Sequence, residues 1–261
     1  MSEVIRFDSV SFIRNDKTIL QDIQFSLSQG ESLAIIGRNG AGKTTLINLL
    51  FGYLWPTIGT VSAFGETYGE TPMAPLQNKM GIVQPGHQET LLQRLSCLEM
   101  VLTGVIGTLG LYKEPTPTQT KLAINLLNTI GLVHKADQAY NTLSSGEKMK
   151  VLLLRAFGEG KELLILDEPT AALDLTARID FVTSLSLLKN RNPNLTRILI
   201  THRIEEIPED FHKILLLKEG KVLAFGEKKS VFTDSNLSNL YDLNLSVSEK
   251  KGQFHITVLS H

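Results

Sequence analysis

Two hydrophobic periods run along this chain. Ile5-Arg6-Phe7-Asp8-Ser9-Val10-Ser11-Phe12 and Ile23-Gln24-Phe25-Ser26-Leu27 alternate roughly between apolar and polar positions, the two-residue period of strands with one face in a core. Asn15-Asp16-Lys17 between them predicts a turn. Ser32-Leu33-Ala34-Ile35-Ile36, Leu163-Leu164-Ile165-Leu166 and Ile198-Leu199-Ile200 are short unbroken apolar runs, which suit parallel strands buried on both faces. Gly81-Ile82-Val83 reads as another short strand, ending near Pro85, and residues 55–61 as a turn into a strand. Ile214-Leu215-Leu216-Leu217 and Val222-Leu223-Ala224-Phe225 flank Lys218-Glu219-Gly220-Lys221, which predicts a hairpin.

The helical period appears elsewhere. A helix follows the glycine-rich stretch after Ile36 and runs to about Phe51. Leu91, Leu92, Leu95, Leu98, Val101 and Leu102 space as an amphipathic helix. After a break at Glu114-Pro115-Thr116-Pro117-Thr118, a second stripe holds Leu122, Ala123, Leu126, Leu127 and Ile130, stopped by Gly131. Residues 148–157 and 174–190 are read as further helices. Beyond about 229 the chain reads as helical, with a strand at His255-Ile256-Thr257-Val258-Leu259. The expected organisation is one domain over 1–228, with a helical subdomain at about 88–155 inserted between strands, and an extension of the same domain over 229–261. No internal repeat or low-complexity tract interrupts it.

Composition narrows the partners. The 261 residues are 42% hydrophobic and 20% charged, ordinary for a globular chain with a sizeable core. A net charge of −1 supplies no bulk basic field, so no direct nucleic-acid partner is expected. Cys97 is the only cysteine; it permits no intrachain disulfide, suits a reducing compartment and is read as a small core side chain. The opening residues carry no secretory pattern. Nowhere do about 18 consecutive apolar residues occur. The expected location is therefore cytoplasmic, and any membrane role requires another subunit to provide the path.

Gly37-Arg38-Asn39-Gly40-Ala41-Gly42-Lys43-Thr44-Thr45 directly follows Ser32–Ile36 and fits the G-x-x-x-x-G-K-[ST] phosphate-loop pattern in full. Glycines let the backbone curl round phosphate oxygens where a Cβ would clash. Amide N–H groups then point inward, and the next helix offers its positive dipole end. Lys43 is placed to reach the β- and γ-phosphates, and the Thr44 hydroxyl to ligate Mg²⁺.

The run Leu163-Leu164-Ile165-Leu166-Asp167-Glu168 sets two carboxylates at the C-terminal end of a buried strand, the sheet edge where ligands bind in open α/β folds. Asp167 is positioned to hold Mg²⁺, directly or through water. Glu168 is positioned to polarise a water for in-line attack on the γ-phosphorus.

Leu143-Ser144-Ser145-Gly146-Glu147 then opens a helix and forms a second anion cradle. Alone, such a string is usually a helix cap. Lying between the phosphate loop and the acidic strand, it resembles the Leu-Ser-Gly-Gly-Gln signature of the ATP-binding cassette (ABC) family. Ser145 replaces the first glycine and Glu147 the glutamine, while Ser144 and Gly146 are kept. In the same order, Ala171-Ala172-Leu173-Asp174 resembles the family's D-loop at the dimer seam. His202, after Ile200-Thr201, resembles the switch histidine that meets the γ-phosphate. The likeness runs from about residue 4 to 228. It implies an α/β phosphate-loop NTPase core with a mostly parallel sheet, an N-terminal antiparallel β subdomain and an inserted α-helical signature subdomain.

Two further assignments come from the resemblance. The family's glutamine linking Mg²⁺ to the helical subdomain falls on Gln84, with Gln88 the alternative. The place of its adenine-stacking aromatic holds Arg14, whose guanidinium can stack on a purine; Phe12 is assigned to the core.

The resemblance implies an Mg-dependent ATPase in which a homodimer sandwiches two ATP molecules, each between one copy's phosphate loop and the other's signature (Ser144, Ser145, Gly146, Glu147). The expected role is the energising subunit of a transporter with a separate membrane permease, peripheral at the cytoplasmic membrane face. The alternative is a stand-alone ATPase acting on a non-membrane target in repair or regulation. Residues 52–57 and 201–208 are similar to a subgroup related to molybdenum-uptake-type and photorepair-type cassettes. A phosphate-loop kinase, the third reading, explains neither the signature nor His202.

Overall fold

Asn15 and Asp16 both take positive φ, 50° and 58°, the left-handed pair that lets a two-residue turn follow the twist of its strands. They join β1 (Glu3–Arg14) to β2 (Lys17–Ser28), antiparallel, with Arg14 opposite Lys17. These strands belong to a computed structural model that describes residues 2–84, 94–250 and 252–259. In chain order β3 (Ser32–Ile36), α1 (Lys43–Leu50), β4 (Ile58–Ala63), β5 (Glu66–Thr67), α2 (Met73–Asn78) and β6 (Met80–Val83) follow. Next come α3 (Cys97–Ile106), α4 (Pro117–Thr129), α5 (Ser145–Phe157), β7 (Leu163–Asp167), α6 (Leu175–Arg191) and β8 (Thr196–Thr201). The chain closes with β9 (Lys213–Lys218), β10 (Lys221–Glu227), α7 (Lys228–Val231), α8 (Asp234–Tyr241), β11 (Leu245–Lys250) and β12 (Gln253–Val258).

Two compact units result, Met1–Gln77 with Thr196–His261, and Asn78–Leu195. In the first, β1 lies between β2 and β4, and β4 pairs with β5, giving an all-antiparallel sheet in the order β2-β1-β4-β5. Phe7 and Phe25 stack across it with ring centroids 4.7 Å apart. Phe12, assigned to the core, is only partly buried. Register shifts on both sides of Phe12, and Ser9 at φ 49°, break the rough alternation and turn Phe12 partly out of the core.

The same unit holds β3 between β8 and β9, parallel to both, with β10 antiparallel to β9. All five residues of β3 are buried, as the unbroken apolar run requires. Arg197 departs furthest from that apolar pattern. The Arg197 side chain is 0% exposed in β8. It donates to Ser32 Oγ at 3.0 and 2.8 Å and to Asp210 at 2.7 Å, and lies 4.6 Å over the Phe211 ring. A charge this deep is tolerated because it is paired and hydrogen-bonded.

In the second unit β6 and β7 are parallel, with Val83 opposite Leu166. Helix α5 presses on both β6 and α3, where Gly81 and Gly104 allow it: a Cβ on either would collide with the carbonyl of Ala156 or Arg155. Cys97 is fully buried, as expected. Leu91 and Leu92 lie outside the described residues, and the helix predicted around them is observed as Cys97–Ile106. The predicted break at 114–118 contains the start of α4, with Thr116 as N-cap, Pro117 in its first turn and a capping box closed by Gln119.

Beyond 229 helices appear as read and the strand expected at 255–259 is observed at Gln253–Val258, but β11 was not legible. Its residues 245–250 are largely polar, and among the described residues they pair with β12 alone.

Candidate functional site

Within the first unit the loop after β3 closes on a single ammonium group. Lys43, 7% exposed, donates to the carbonyls of Gly37 at 2.8 Å and Arg38 at 3.2 Å. Gly40 and Gly42 take φ of 83° and 102°, so both turns need the glycine that the motif supplies. A Cβ on Gly37 would stand 2.5 Å from the Leu217 carbonyl, and one on Gly42 2.7 Å from Leu20 Cδ2. The loop is therefore clamped between β9 and β2. Helix α1 begins at Lys43 with no side-chain cap and no acidic residue in its first turn. Its leading amides and dipole are thus available to an anion. Thr44 is exposed and Thr45 half-buried.

Arg38 and Asn39 are exposed on the outer curve of the loop. The Arg38 guanidinium donates to Asp242 at 2.8 Å. A cavity of about 220 Å³ lies there, lined among others by Arg38, Asn39, Gly40, Lys218 and Asp242. His202 follows β8 and is half-buried; its carbonyl accepts a hydrogen bond from Tyr241 Oη at 3.3 Å. Just beyond, the buried Glu206 accepts from Thr201 Oγ1 at 3.3 Å and pairs with Arg203 at 3.1 Å, fixing the turn after the histidine. Arg14 sits exposed at the tip of the β1–β2 hairpin.

In the second unit the parallel register brings Gln84 to Asp167. The residues before them, Val83 and Leu166, are partners, and Gln84 Nε2 donates to Asp167 Oδ2 at 3.3 Å. Gln88 lies outside the described residues. Glu168 adopts φ 45°, left-handed for a non-glycine residue, a conformation that costs free energy and concentrates at functional sites.

Ser144 caps α5 in a closed capping box. Its Oγ accepts from Glu147 N at 3.3 Å, and Glu147 Oε2 accepts from Ser144 N at 3.0 Å. The other Glu147 oxygen is ion-paired with Lys135, and this hydrogen bond holds the Glu147 carboxyl below its ordinary pKa. Glutamine can close the box but cannot make the pair. The departure from the signature consensus therefore comes with a cation that balances it. Gly146 is buried against Ala177, a Cβ there standing 2.8 Å from the Ala177 Cβ. The Ala177 amide is in turn capped by Asp174 Oδ1 at 2.8 Å. The starts of α5 and α6, with Ser144 and Asp174, are thereby packed together.

Three side chains at these places escaped sequence reading: Lys135, Tyr241 and Asp242. Each meets its partner through the fold, and none stands in a motif.

A loop that wraps a lysine ahead of an uncapped helix, with acidic strand ends and capped helix starts, defines a nucleotide-hydrolysing cassette. The ABC transporter family model matches residues 20–171, and the chain belongs to that family. The chain is 38% identical to the ABC transporter ATP-binding protein YlmA of Bacillus subtilis over 94% of its own length and 93% of that protein. It is 28% identical to the molybdate import ATP-binding protein MolC of Haemophilus influenzae, over 100% and 96%. Its fold is similar to that of cbiO1 from Clostridium perfringens, part of the ABC transporter complex cbiONQ. The TM-score is 0.79 and the identity 26%, over 92% and 94% of the two chains. The protein is thus an ATP-binding, ATP-hydrolysing subunit of an ABC transporter, in the α/β cassette fold. Among the described residues no helix is long and apolar enough to cross a membrane.

Proposed function

We propose that two copies of this chain sandwich two Mg·ATP molecules, and that closing and reopening the pair drives a separate permease in import. The observation that carries the reading is the division of anion-binding equipment between two places. One is the loop curled around Lys43. The other is the start of α5, where the capping box takes the amides of Ser144 and Glu147. The amides of Ser145 and Gly146 remain at that helix N-terminus, where an anion is the natural partner. One compact cassette has no use for two triphosphate cradles unless the second serves a neighbouring copy.

In this scheme residues 37–45 bind the phosphates, Arg14 stacks on adenine, and Ser144, Ser145, Gly146 and Glu147 meet the partner's nucleotide. Glu168 orients the attacking water, His202 contacts the γ-phosphate and Asp174 lines the dimer seam. Mg²⁺ demands hard oxygen donors. The Thr44 hydroxyl and the Asp167 carboxylate supply them. Gln84, whose amide nitrogen is turned toward Asp167, has its carbonyl oxygen left to complete the set. The ion would neutralise charge on the phosphates; the residues around it hold and orient the nucleotide.

Residues 1–228 form the nucleotide-binding domain, with the helical subdomain at about 88–155 and 229–261 as its extension. The subunit is cytoplasmic and peripheral at the membrane. Import is supported by the molybdate-import relative, and a permease partner by the cbiONQ complex to which the structural neighbour belongs.

The test is the Glu168→Gln variant under saturating Mg·ATP. The reading expects a stable dimer by gel filtration, and co-purification of a multi-span membrane protein from native membranes. A variant that stays monomeric with ATP bound would refute it.

A further inference from the structure

Helix α8 ends in two side chains that reach in different directions. Tyr241 Oη donates to the His202 carbonyl at 3.3 Å, and Asp242 Oδ2 accepts from the Arg38 guanidinium at 2.8 Å. Asp242 Oδ1 and the Asn239 carbonyl and amide oxygens all accept from Lys218, the last residue of β9. The anchor point matters because β9 runs parallel to β3, the strand that feeds the loop, with Leu216 opposite Ile36. A Cβ on Gly37 would also strike the Leu217 carbonyl. The Gly220 amide, in the turn after β9, donates to the Ala41 carbonyl at 3.0 Å. The end of α8 is therefore fastened to the strand against which the loop is moulded.

Local helix preference does not explain Asp242. It caps the C-terminus of α8 at φ 57°, beside the negative end of the dipole, where an acidic side chain is unfavourable. Two cations, Lys218 and Arg38, offset that cost and hold its carboxyl below the ordinary range, the Lys218 hydrogen bond being the larger cause. At Arg38 the side chain is gripped by Asp242 while the carbonyl of the same residue accepts from Lys43. The 204-residue separation between Arg38 and Asp242 thus closes on the peptide that cradles the phosphate-binding lysine.

We propose that Tyr241 and Asp242 are positioning residues. Through Arg38 and the His202 main chain, the C-terminal extension sets the phosphate loop and the switch segment in register, and so tunes ATP affinity and turnover separately. This rests on the nucleotide roles given above to Lys43 and His202.

The test uses the full chain, with steady-state ATPase and ATP calorimetry on Asp242→Asn, Asp242→Glu, Tyr241→Phe and Lys43→Ala. Asp242→Asn should raise KM for ATP about threefold to fivefold with kcat held, the scale of one exposed ion pair, and Asp242→Glu should recover part of it. High salt should bring the ratio of the Asp242→Asn KM to the wild-type KM toward one. Tyr241→Phe should lower kcat about threefold with KM held, the scale of one neutral hydrogen bond. Wild-type constants in both variants, with Lys43→Ala unable to bind ATP, overturn the positioning role alone. So does a fall in kcat at unchanged KM, in either variant, that tracks the folded fraction by circular dichroism. ATP binding that survives in Lys43→Ala overturns the nucleotide reading beneath it.

Discussion

Gln84 and Asp167 are joined by a hydrogen bond of 3.3 Å between side chains 83 residues apart. Each continues a strand of the parallel pair β6–β7, one position beyond the matched Val83 and Leu166. A shift of register by one residue would turn Gln84 to the other face. The bond therefore depends on the same buried apolar runs that make the strands. It also orients the Asp167 carboxylate, the group proposed to hold Mg²⁺. Gln84→Ala should raise the Mg²⁺ concentration for half-maximal ATPase by at least about tenfold, since it removes a proposed Mg²⁺ donor together with the hydrogen bond that orients Asp167. A magnesium titration at fixed ATP checks this.

Lys43 donates to two main-chain carbonyls, Gly37 and Arg38. Removing the ammonium takes the donor from those oxygens and the positive charge proposed to meet the phosphates. Lys43→Ala should reduce ATP affinity by at least about a hundredfold, the loss of a charge-assisted contact of about 3 kcal/mol. Isothermal titration calorimetry measures it directly.

Glu147 carries a negative charge into a cradle proposed for phosphate, and Lys135 neutralises it. Lys135→Met should weaken ATP-driven dimerisation, and Lys135→Met with Glu147→Gln should restore it, as read by sedimentation. Stability follows the same pair. The carboxyl is held below its ordinary value of 4.5, chiefly by the Lys135 hydrogen bond. Its stabilisation is therefore complete above that value and fades as pH falls through the lower, folded-state value. Glu147→Gln should flatten this part of the acid side of the stability profile, by no more than about 1 kcal/mol, in urea titrations at stepped pH.

Cys97 is fully buried, and burial pushes its thiol up to about 11. The fold thus favours the neutral thiol, an advantage kept at neutral pH and lost as pH rises through the folded value. Iodoacetamide should leave the native chain unlabelled at mildly alkaline pH and label it fully once unfolded in urea, as read by intact mass.

Local sequence was enough for every part of the site that is built from neighbours. The phosphate loop needs glycines where φ turns positive, and Gly40 and Gly42 stand there. The helix starts at Ser144 and Asp174 are side-chain caps, whose partners lie three residues away. The observed start of α5 at Ser145 rather than 148 follows from that cap. The polar strand β11 and the bulged end of β1 were missed because a period of two is blurred where a hairpin has little core to face or an extra residue slips in.

The sequence by itself thus determined the cassette family, the phosphate loop, the acidic strand end and the alternation of strands and helices. Periodicity and backbone sterics act over a few residues and leave a readable trace. The tertiary structure alone decided that Asp242 meets Arg38, that Tyr241 meets His202, that Lys135 balances Glu147 and that Gln84 lies beside Asp167. Those pairings arise from strand register and helix docking. They cost closure of loops that no local pattern encodes, and they exist only once the buried runs have fixed the strands in place.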